Sequence, residues 1–306
     1  MPNPKVSILV AAYNAESTID RCVVSCLKQS YQNFEVIIID DGSTDKTAEM
    51  LKSYQSSDGR VRPITVENGG QGKARNIALE YAEGDYVTVL DADDALHIRA
   101  LELLVASAQQ EASQIVVGEW ITIDERKRQK RYAPVFGSVN LAGNVSAIQS
   151  KIIGNTYFSV AKLYDRKFIL HNDISYSEGH IYEDMQFLIG AVLLADRISI
   201  VPEPLYFVYA GDDSSTKTLT DSDWHAVSFS KAVRSTINKY REQMLPFRKE
   251  YGYYILGRVY LYTVTTNRIP RRIWKSFSNE IISCINSLHT TAPTRHTASG
   301  RYFVPL

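Results

Sequence analysis

Residues 34–45 read Phe34-Glu-Val-Ile-Ile-Ile39 and then, without a break, Asp40-Asp41-Gly42-Ser43-Thr44-Asp45. A short apolar, β-branched run interrupted by one charge is the pattern of a strand covered on both faces, and the abrupt change to Asp, Gly, Ser and Thr marks a turn that starts a helix. The helical pattern continues to about Tyr54.

The same unit recurs on either side. Upstream, Lys5-Val-Ser-Ile-Leu-Val10 reads as a strand ending at Ala11-Ala12-Tyr13-Asn14, and Ser17 opens an amphipathic helix through Leu27. Downstream, Val61 to Val66 is a third strand and Gly72 to Tyr81 a third helix. Asp85-Tyr-Val-Thr-Val-Leu90 is a fourth strand, running into Asp91-Ala92-Asp93-Asp94. Strands alternating with helices predict an α/β fold with a doubly wound, mainly parallel sheet. Ligands of such sheets sit beyond the carboxyl ends of the strands, where the polar clusters at Tyr13, Asp40-Asp41 and Asp91–Asp94 all fall. That placement predicts a nucleotide site.

The middle of the chain is less regular. Ile115 to Ile123 reads as a strand, and the charge run from Asp124 to Arg131 as a solvated hairpin or loop. Ser159 to Phe168 reads as strand into helix and Tyr182 to Leu194 as a helix, while Ile198–Val201 and Leu205–Tyr209 complete a second sheet region. From Ser222 the pattern is mainly helical, with a basic, Trp-bearing break at Arg268-Ile-Pro-Arg-Arg-Ile-Trp-Lys275. Thr290 to Leu306 shows no clear periodicity.

The chain of 306 residues has 34 Lys+Arg against 34 Asp+Glu, so no net charge speaks for nucleic acid as a partner. Cys22, Cys26 and Cys284 cannot all pair, which fits a reducing cytoplasm, and Cys22 and Cys26 share a helix face as buried thiols. The apolar stretch Val6 to Ala12 is too short for a signal-peptide core or a membrane span.

Asp91 and Asp93 stand two apart at a strand end, where both carboxylates can face one side and share a hard divalent ion, Mn²⁺ or Mg²⁺, with substrate phosphates. By itself an Asp-X-Asp also caps helices. Gly69, Gly70 and Gly72 allow close backbone approach, and Lys73 and Arg75 could reach a diphosphate; Arg75 could equally pin Asp91 or Asp41. The pair Glu183-Asp184 suits acid–base work, or merely the start of a helix.

These stretches together resemble the family 2 glycosyltransferases, which have the GT-A fold. The resemblance is carried by Val6-Ser-Ile-Leu-Val-Ala-Ala-Tyr-Asn-Ala-Glu16, Val36–Asp45, Asn68-Gly69-Gly70 through Ala74-Arg75-Asn76, and Leu90-Asp-Ala-Asp-Asp94. A second block, Ala161-Lys162-Leu163-Tyr164 with Glu178 through Asp184, is similar to the family's acceptor-side motif. Ala12 stands where many relatives have Pro, which touches only the local loop shape.

The resemblance implies an inverting transferase acting on a nucleotide-sugar donor, with UDP as the expected nucleotide and a glycan or lipid-linked glycan as acceptor, in bacterial surface-glycan synthesis. It places Ala12, Tyr13, Glu16, Asn68, Lys73, Arg75, Asp91 and Ala92 around the nucleotide, with Asp41 on the base. Asp91 and Asp93 hold the metal; Asp184 is the base, Glu183 orients a neighbour, and His180 could touch the diphosphate or the metal. A flexible loop closes over the donor in relatives; here Tyr209 to Thr216 is acidic, with Lys217 the nearby cation. The implied division is a catalytic domain at 1–218 and a helical region at 219–306, the latter packed on the catalytic domain, joined in a homo-oligomer, or lying at the inner face of the membrane. The competing functions are a nucleotidyltransferase, which would show a Gly-rich basic signature after the first strand, and a sugar-binding module without turnover.

Overall fold

A computed structural model describes residues 3–124, 126–132, 136, 144–155, 158–210, 222–260 and 271–288. The first half alternates as the sequence predicts: β1 (Val6–Ala12), α1 (Ile19–Leu27), β2 (Phe34–Asp40), α2 (Thr47–Ser57), β3 (Val61–Thr65), α3 (Gln71–Tyr81) and β4 (Tyr86–Asp91). The next stretch holds β5 (Ala95–Leu96), α4 (Ala100–Glu111), β6 (Ile115–Asp124), β7 (Gln129–Tyr132), α5 (Val145–Asn155), β8 (Lys162–Asp165), α6 (Arg166–His171), α7 (Asp184–Leu194) and β9 (Ile198–Tyr209). Then follow α8 (Ser222–Met244), kinked at Tyr240, a 3₁₀ turn, α9 (Arg248–Tyr260) and α10 (Arg271–Ser287).

Every residue of β2 is buried, as its composition predicted. Glu35, near its start, accepts from Ser7 Oγ at 2.7 Å, Arg62 at 2.7 Å and the Glu83 amide at 2.9 Å, so the buried carboxylate is fully engaged. Helix α1 buries Ile19, Cys22, Val23 and Cys26, which recur at one-turn spacing and fix the face laid on the core; each such side chain contributes about 1.5–3 kcal/mol. The cysteines are free thiols.

The strands form one mixed sheet in the order β3-β2-β1-β4-β8-β6-β9-β5, with β7 paired to β6. From β3 to β4 it is parallel, and β8 enters antiparallel between β4 and β6. The order turns back between β1 and β4, where Asp91, the last residue of β4, is the register partner of Ala11. That switch point is where an open α/β sheet leaves its crevice.

Two features differ from the sequence reading. The expected second sheet region is part of this same sheet: β9 runs unbroken past Pro202 and Pro204, parallel to β6. Its missing N–H groups are absorbed by register irregularities at Gly118 and Glu119 on the facing strand. Helices α4 and α5 also fill the middle, where no regular pattern had been read. The charge run does form a hairpin, β6 with the fully exposed β7.

Helix α7 is buried almost all round and packs against α5 and α8, while α10 packs on α8, so the C-terminal helices share the main hydrophobic core. No helix among the described residues is long and apolar enough to cross a membrane. The acidic loop from 211, the C-terminal tail, and the side chains of Arg271, Arg272 and Trp274 lie outside the described residues.

Candidate active site

The loops after β1 and β2 are stitched to each other. Asn14, at φ +48°, donates its amide to Ser43 Oγ at 3.0 Å, and its side-chain oxygen accepts from the Thr44 amide at 2.8 Å. The Glu16 amide donates to Asp45 at 3.0 Å, and the Glu16 carboxylate accepts the Lys46 amide at 3.0 Å. The Ala12 carbonyl accepts from the Asp41 amide at 2.8 Å. Glu16 thus satisfies an amide just ahead of α2, where such groups lack helical partners. Tyr13 is half exposed at the rim.

Buried Asp41 takes the amides of Gly69 at 2.8 Å and Gly70 at 2.9 Å, and Asn68 donates its side-chain amide to the Asp41 carbonyl at 2.9 Å. Two of roughly four acceptor positions on the Asp41 carboxylate are therefore in use, leaving room for one more donor. Gly70 adopts φ +87° at the start of α3. The close approaches at the other two glycines are internal: a Cβ on Gly72 would lie 2.2 Å from the Ser177 carbonyl oxygen, and one on Gly69 would meet the stem of exposed Lys73 at 2.4 Å.

Arg75 leaves α3 into the interior, 2% exposed, and joins three acids from two distant parts of the chain. Nη2 lies 2.6 Å from Asp91, and Nη1 lies 2.7 Å from Glu183 and 3.0 Å from Asp184. The Gln71 amide sits between, accepting from Arg75 at 2.7 Å and donating to Glu183 at 3.1 Å. Burial works against the guanidinium charge, but Asp184, Asp91 and Glu183 together hold its pKa well above the ordinary value. Of the two sequence alternatives for Arg75, its side chain takes the pinning position on Asp91 and does not reach Asp41.

Asp91, Asp93 and Asp94 present carboxylate oxygens all within 4.8 Å of one another. Asp94 accepts the Tyr209 amide at 2.8 Å, the Tyr206 hydroxyl accepts the Asp91 amide at 3.1 Å, and Arg21 donates to the Asp93 carbonyl at 2.5 Å. The Arg21 guanidinium also lies 3.8 Å over the Tyr209 ring. Burial, then repulsion from Asp91, pushes the Asp93 carboxyl up to about 6; burial with repulsion from Asp91 and Asp93 pushes Asp94 up to about 8. Crowded hard oxygen donors whose charges repel are what a divalent cation relieves, so these residues fit one. Ala92 is half-buried against the core beside them.

Glu183 and Asp184 stand at the N-terminus of α7, yet Glu183 makes no side-chain cap; the two carboxylates turn to Arg75 instead. Ser159 Oγ donates to Asp184, in a bond shorter than usual. Burial, opposed by Arg75 and reinforced by Asp184, pushes Glu183 up to about 7, and burial likewise raises Asp184 against the pull of Arg75. The His180 ring is bonded to the Ile181 carbonyl at 2.8 Å, and burial lowers its pKa.

Sequence reasoning did not single out Gln71, Ser159, Tyr206 or Arg21, and named Tyr209 only as a strand end and the start of the donor loop. Only Gln71 carried a local signal, its position one turn before Arg75; the others reach the site from afar.

Residues 7–172 match the family model described as glycosyl transferase family 2. Glycosyltransferase GlyG of Streptococcus pneumoniae serotype 4 is 30% identical over 230 residues, covering 72% of this chain and 75% of that protein. Poly(ribitol-phosphate) beta-N-acetylglucosaminyltransferase TarS of Staphylococcus aureus is 30% identical over 231 residues, 73% of this chain and 39% of that protein. The solved structure of TarS residues 1–349 in complex with UDP superposes with a TM-score of 0.71 at 23% identity, covering 93% of this chain and 83% of that one. Mannosyltransferase PcManGT of Pyrobaculum calidifontis, solved with GDP-Man and Mn²⁺, follows at TM-score 0.54 and 15% identity, covering 94% and 87%.

Proposed function

Since the chain belongs to glycosyl transferase family 2, we propose that it transfers a sugar, with inversion, from a UDP-sugar to a hydroxyl of a bacterial surface glycan or its lipid-linked precursor. The observation that carries this reading is the Arg75 cluster. It sets the acids that would face the donor's diphosphate, led by Asp91, against Glu183 and Asp184, so both halves of a displacement meet at the β1–β4 switch point. TarS, crystallised with UDP and named for transfer of N-acetylglucosamine to poly(ribitol-phosphate), supports UDP as the nucleotide and a surface polymer as acceptor.

In this mechanism Tyr13 flanks the base at the rim, Ala12 and Asn68 line the nucleotide, and Asp41 accepts from the base with its remaining lone pairs. Exposed Lys73 is free to swing toward the diphosphate, whereas Glu16 shapes the pocket by holding the start of α2. Asp91 and Asp93 would hold Mn²⁺ or Mg²⁺ beside Ala92, and a divalent ion held there would supply neutralisation of charge on the diphosphate leaving group. Asp184 takes the proton of the acceptor hydroxyl as that oxygen attacks the anomeric carbon from the face opposite the nucleotide. Burial raises its basicity, and Arg75 and Ser159 hold its carboxylate in one orientation. Glu183 keeps Arg75 in place.

The division at 1–218 and 219–306 becomes, in this reading, a catalytic sheet with a helical buttress, since α8 supports α7 and therefore Asp184. The loop after β1, Ala11-Ala12-Tyr13-Asn14-Ala15-Glu16, has no Gly-rich basic signature, which disfavours a nucleotidyltransferase. A panel of nucleotide sugars tests the proposal: Mn²⁺-dependent UDP release from one donor, abolished by Asp93→Ala and by Asp184→Ala, is expected. Release of no nucleotide from any donor with mixed glycan acceptors would sink it.

A further inference from the structure

Lys162 lies on β8 with its side chain 1% exposed, and nothing in the mechanism above uses it. Its ammonium turns back along the chain and donates to the carbonyls of Phe158 at 2.7 Å and Val160 at 3.1 Å. Tyr164, two residues on and therefore on the same face of β8, donates its hydroxyl to the Ser159 carbonyl at 2.8 Å. The Ala161 carbonyl accepts the Gly118 amide at 2.8 Å. All four carbonyls of the turn 158–161 are thus held by β8 side chains or by β6, and the turn contains Ala161 in the left-handed region at φ +59°. What this turn presents is the Ser159 hydroxyl, bonded to Asp184.

A lysine is an expensive way to fill a core. Replacing a buried charge by an apolar chain of similar size is often neutral or stabilising, so packing alone does not call for one here. Burial pulls the Lys162 ammonium down to about 8, with Asp184 and Glu119 pulling it back up, so it remains largely charged at neutral pH.

We propose that Lys162 is a positioning residue for glycosyl transfer: by holding the carbonyls of Phe158 and Val160 it locks the turn 158–161, through which the Ser159 hydroxyl orients Asp184. The proposal rests on the reading of Asp184 as the base. Lys162 touches no substrate; it acts through Ser159.

The test uses the full chain with Lys162→Met, Ser159→Ala and the double variant. Amide hydrogen exchange in Lys162→Met is expected to accelerate across residues 158–164 and not in β1 or β2. UDP affinity and donor KM stay at wild-type values while kcat falls on the order of 100-fold, the scale expected when a reacting group is misplaced by about 1 Å. The double variant is expected to be no slower than the worse single one, because both act on the same orientation. Unchanged exchange, multiplicative losses in the double variant, or an equal loss of UDP affinity would each overturn the proposal. Should Lys162→Met not fold, Lys162→Ala, which also removes the donor, is judged by the same three readouts. A wild type that releases no nucleotide from any donor defeats the transferase reading, and the exchange measurement alone then decides whether Lys162 holds the turn.

Discussion

Arg75 Nη2 and Asp91 Oδ1 lie 2.6 Å apart across the gap between α3 and β4, so the carboxylate nearest the sheet switch point is bound to a buried cation before any substrate arrives. This pairing sets one acid oxygen of Asp91 inward and leaves the rest of the group, 29% exposed, facing the crevice. It also makes the electrostatics of the site a matter of fold stability.

Removing that cation leaves three acids crowded without compensation. Arg75→Ala is expected to cost about 3–5 kcal/mol in urea denaturation at pH 8. The loss should shrink at pH 5.5, because Glu183, already pushed up to about 7, can then shed its charge by taking a proton. A cost that does not change with pH would contradict this account.

Asp184→Asn keeps the shape of the side chain and removes its basicity. The expected result is a kcat lower by about 10²–10⁴ with UDP affinity intact, read by steady-state nucleotide release alongside a UDP titration. If affinity falls in step with kcat, Asp184 is a binding residue and not the base.

The metal-free cluster carries its own pH signature. Asp93 and Asp94 titrate at about 6 and about 8 in the fold against an ordinary 3.8, so the folded chain binds more protons than the unfolded chain between those values. Stability in EDTA should therefore fall as pH rises from 6 to 8. Saturating Mn²⁺ should raise Tm more at pH 8 than at pH 6, and calorimetry in two buffers should detect proton release on binding at pH 6. An equal Tm shift at both values would argue against these carboxylates as the ligands.

Gly72→Ala should be destabilising by about 1–3 kcal/mol, because the new methyl group would press on the Ser177 carbonyl at 2.2 Å and on Glu183 Cβ at 3.1 Å. A shift in the urea midpoint with an unchanged slope is the expected reading. A neutral result would mean that the 177 turn yields without strain.

The first four strands and three helices were legible because their signals are local: β-branched runs, one-turn periodicity in α1, and Asp-Gly-Ser turns all lie within a few residues. Strand β9 was read as two pieces because Pro202 and Pro204 are strong breakers, and the irregular β6 register that accommodates them is over 80 residues away. The acids of the site were visible as motifs at strand and helix ends. Arg75 was read as a pin for Asp91, but its reach to Glu183 and Asp184, and that of Ser159 to Asp184, was not. Ser159 reaches Asp184 across 25 residues and Arg75 reaches it across 109, and no periodicity encodes such meetings. The glycine-rich turn was seen correctly as a place of close approach, but what approaches Gly72 is the chain's own backbone.

The bond between Arg75 and Glu183 joins residues 108 positions apart. During synthesis the first βα units emerge while the acids that neutralise this arginine from α7 are still unmade, and an early compact form would have to keep Arg75 in water or bury it with Asp91 alone. A chain made only as far as α6 therefore lacks two of the three acids that face Arg75 in the finished fold. For the same reason, a chimera joining residues 7–100 of this chain to the remainder of a relative must match the two sides of that bond, or it will assemble the sheet around an unpaired charge.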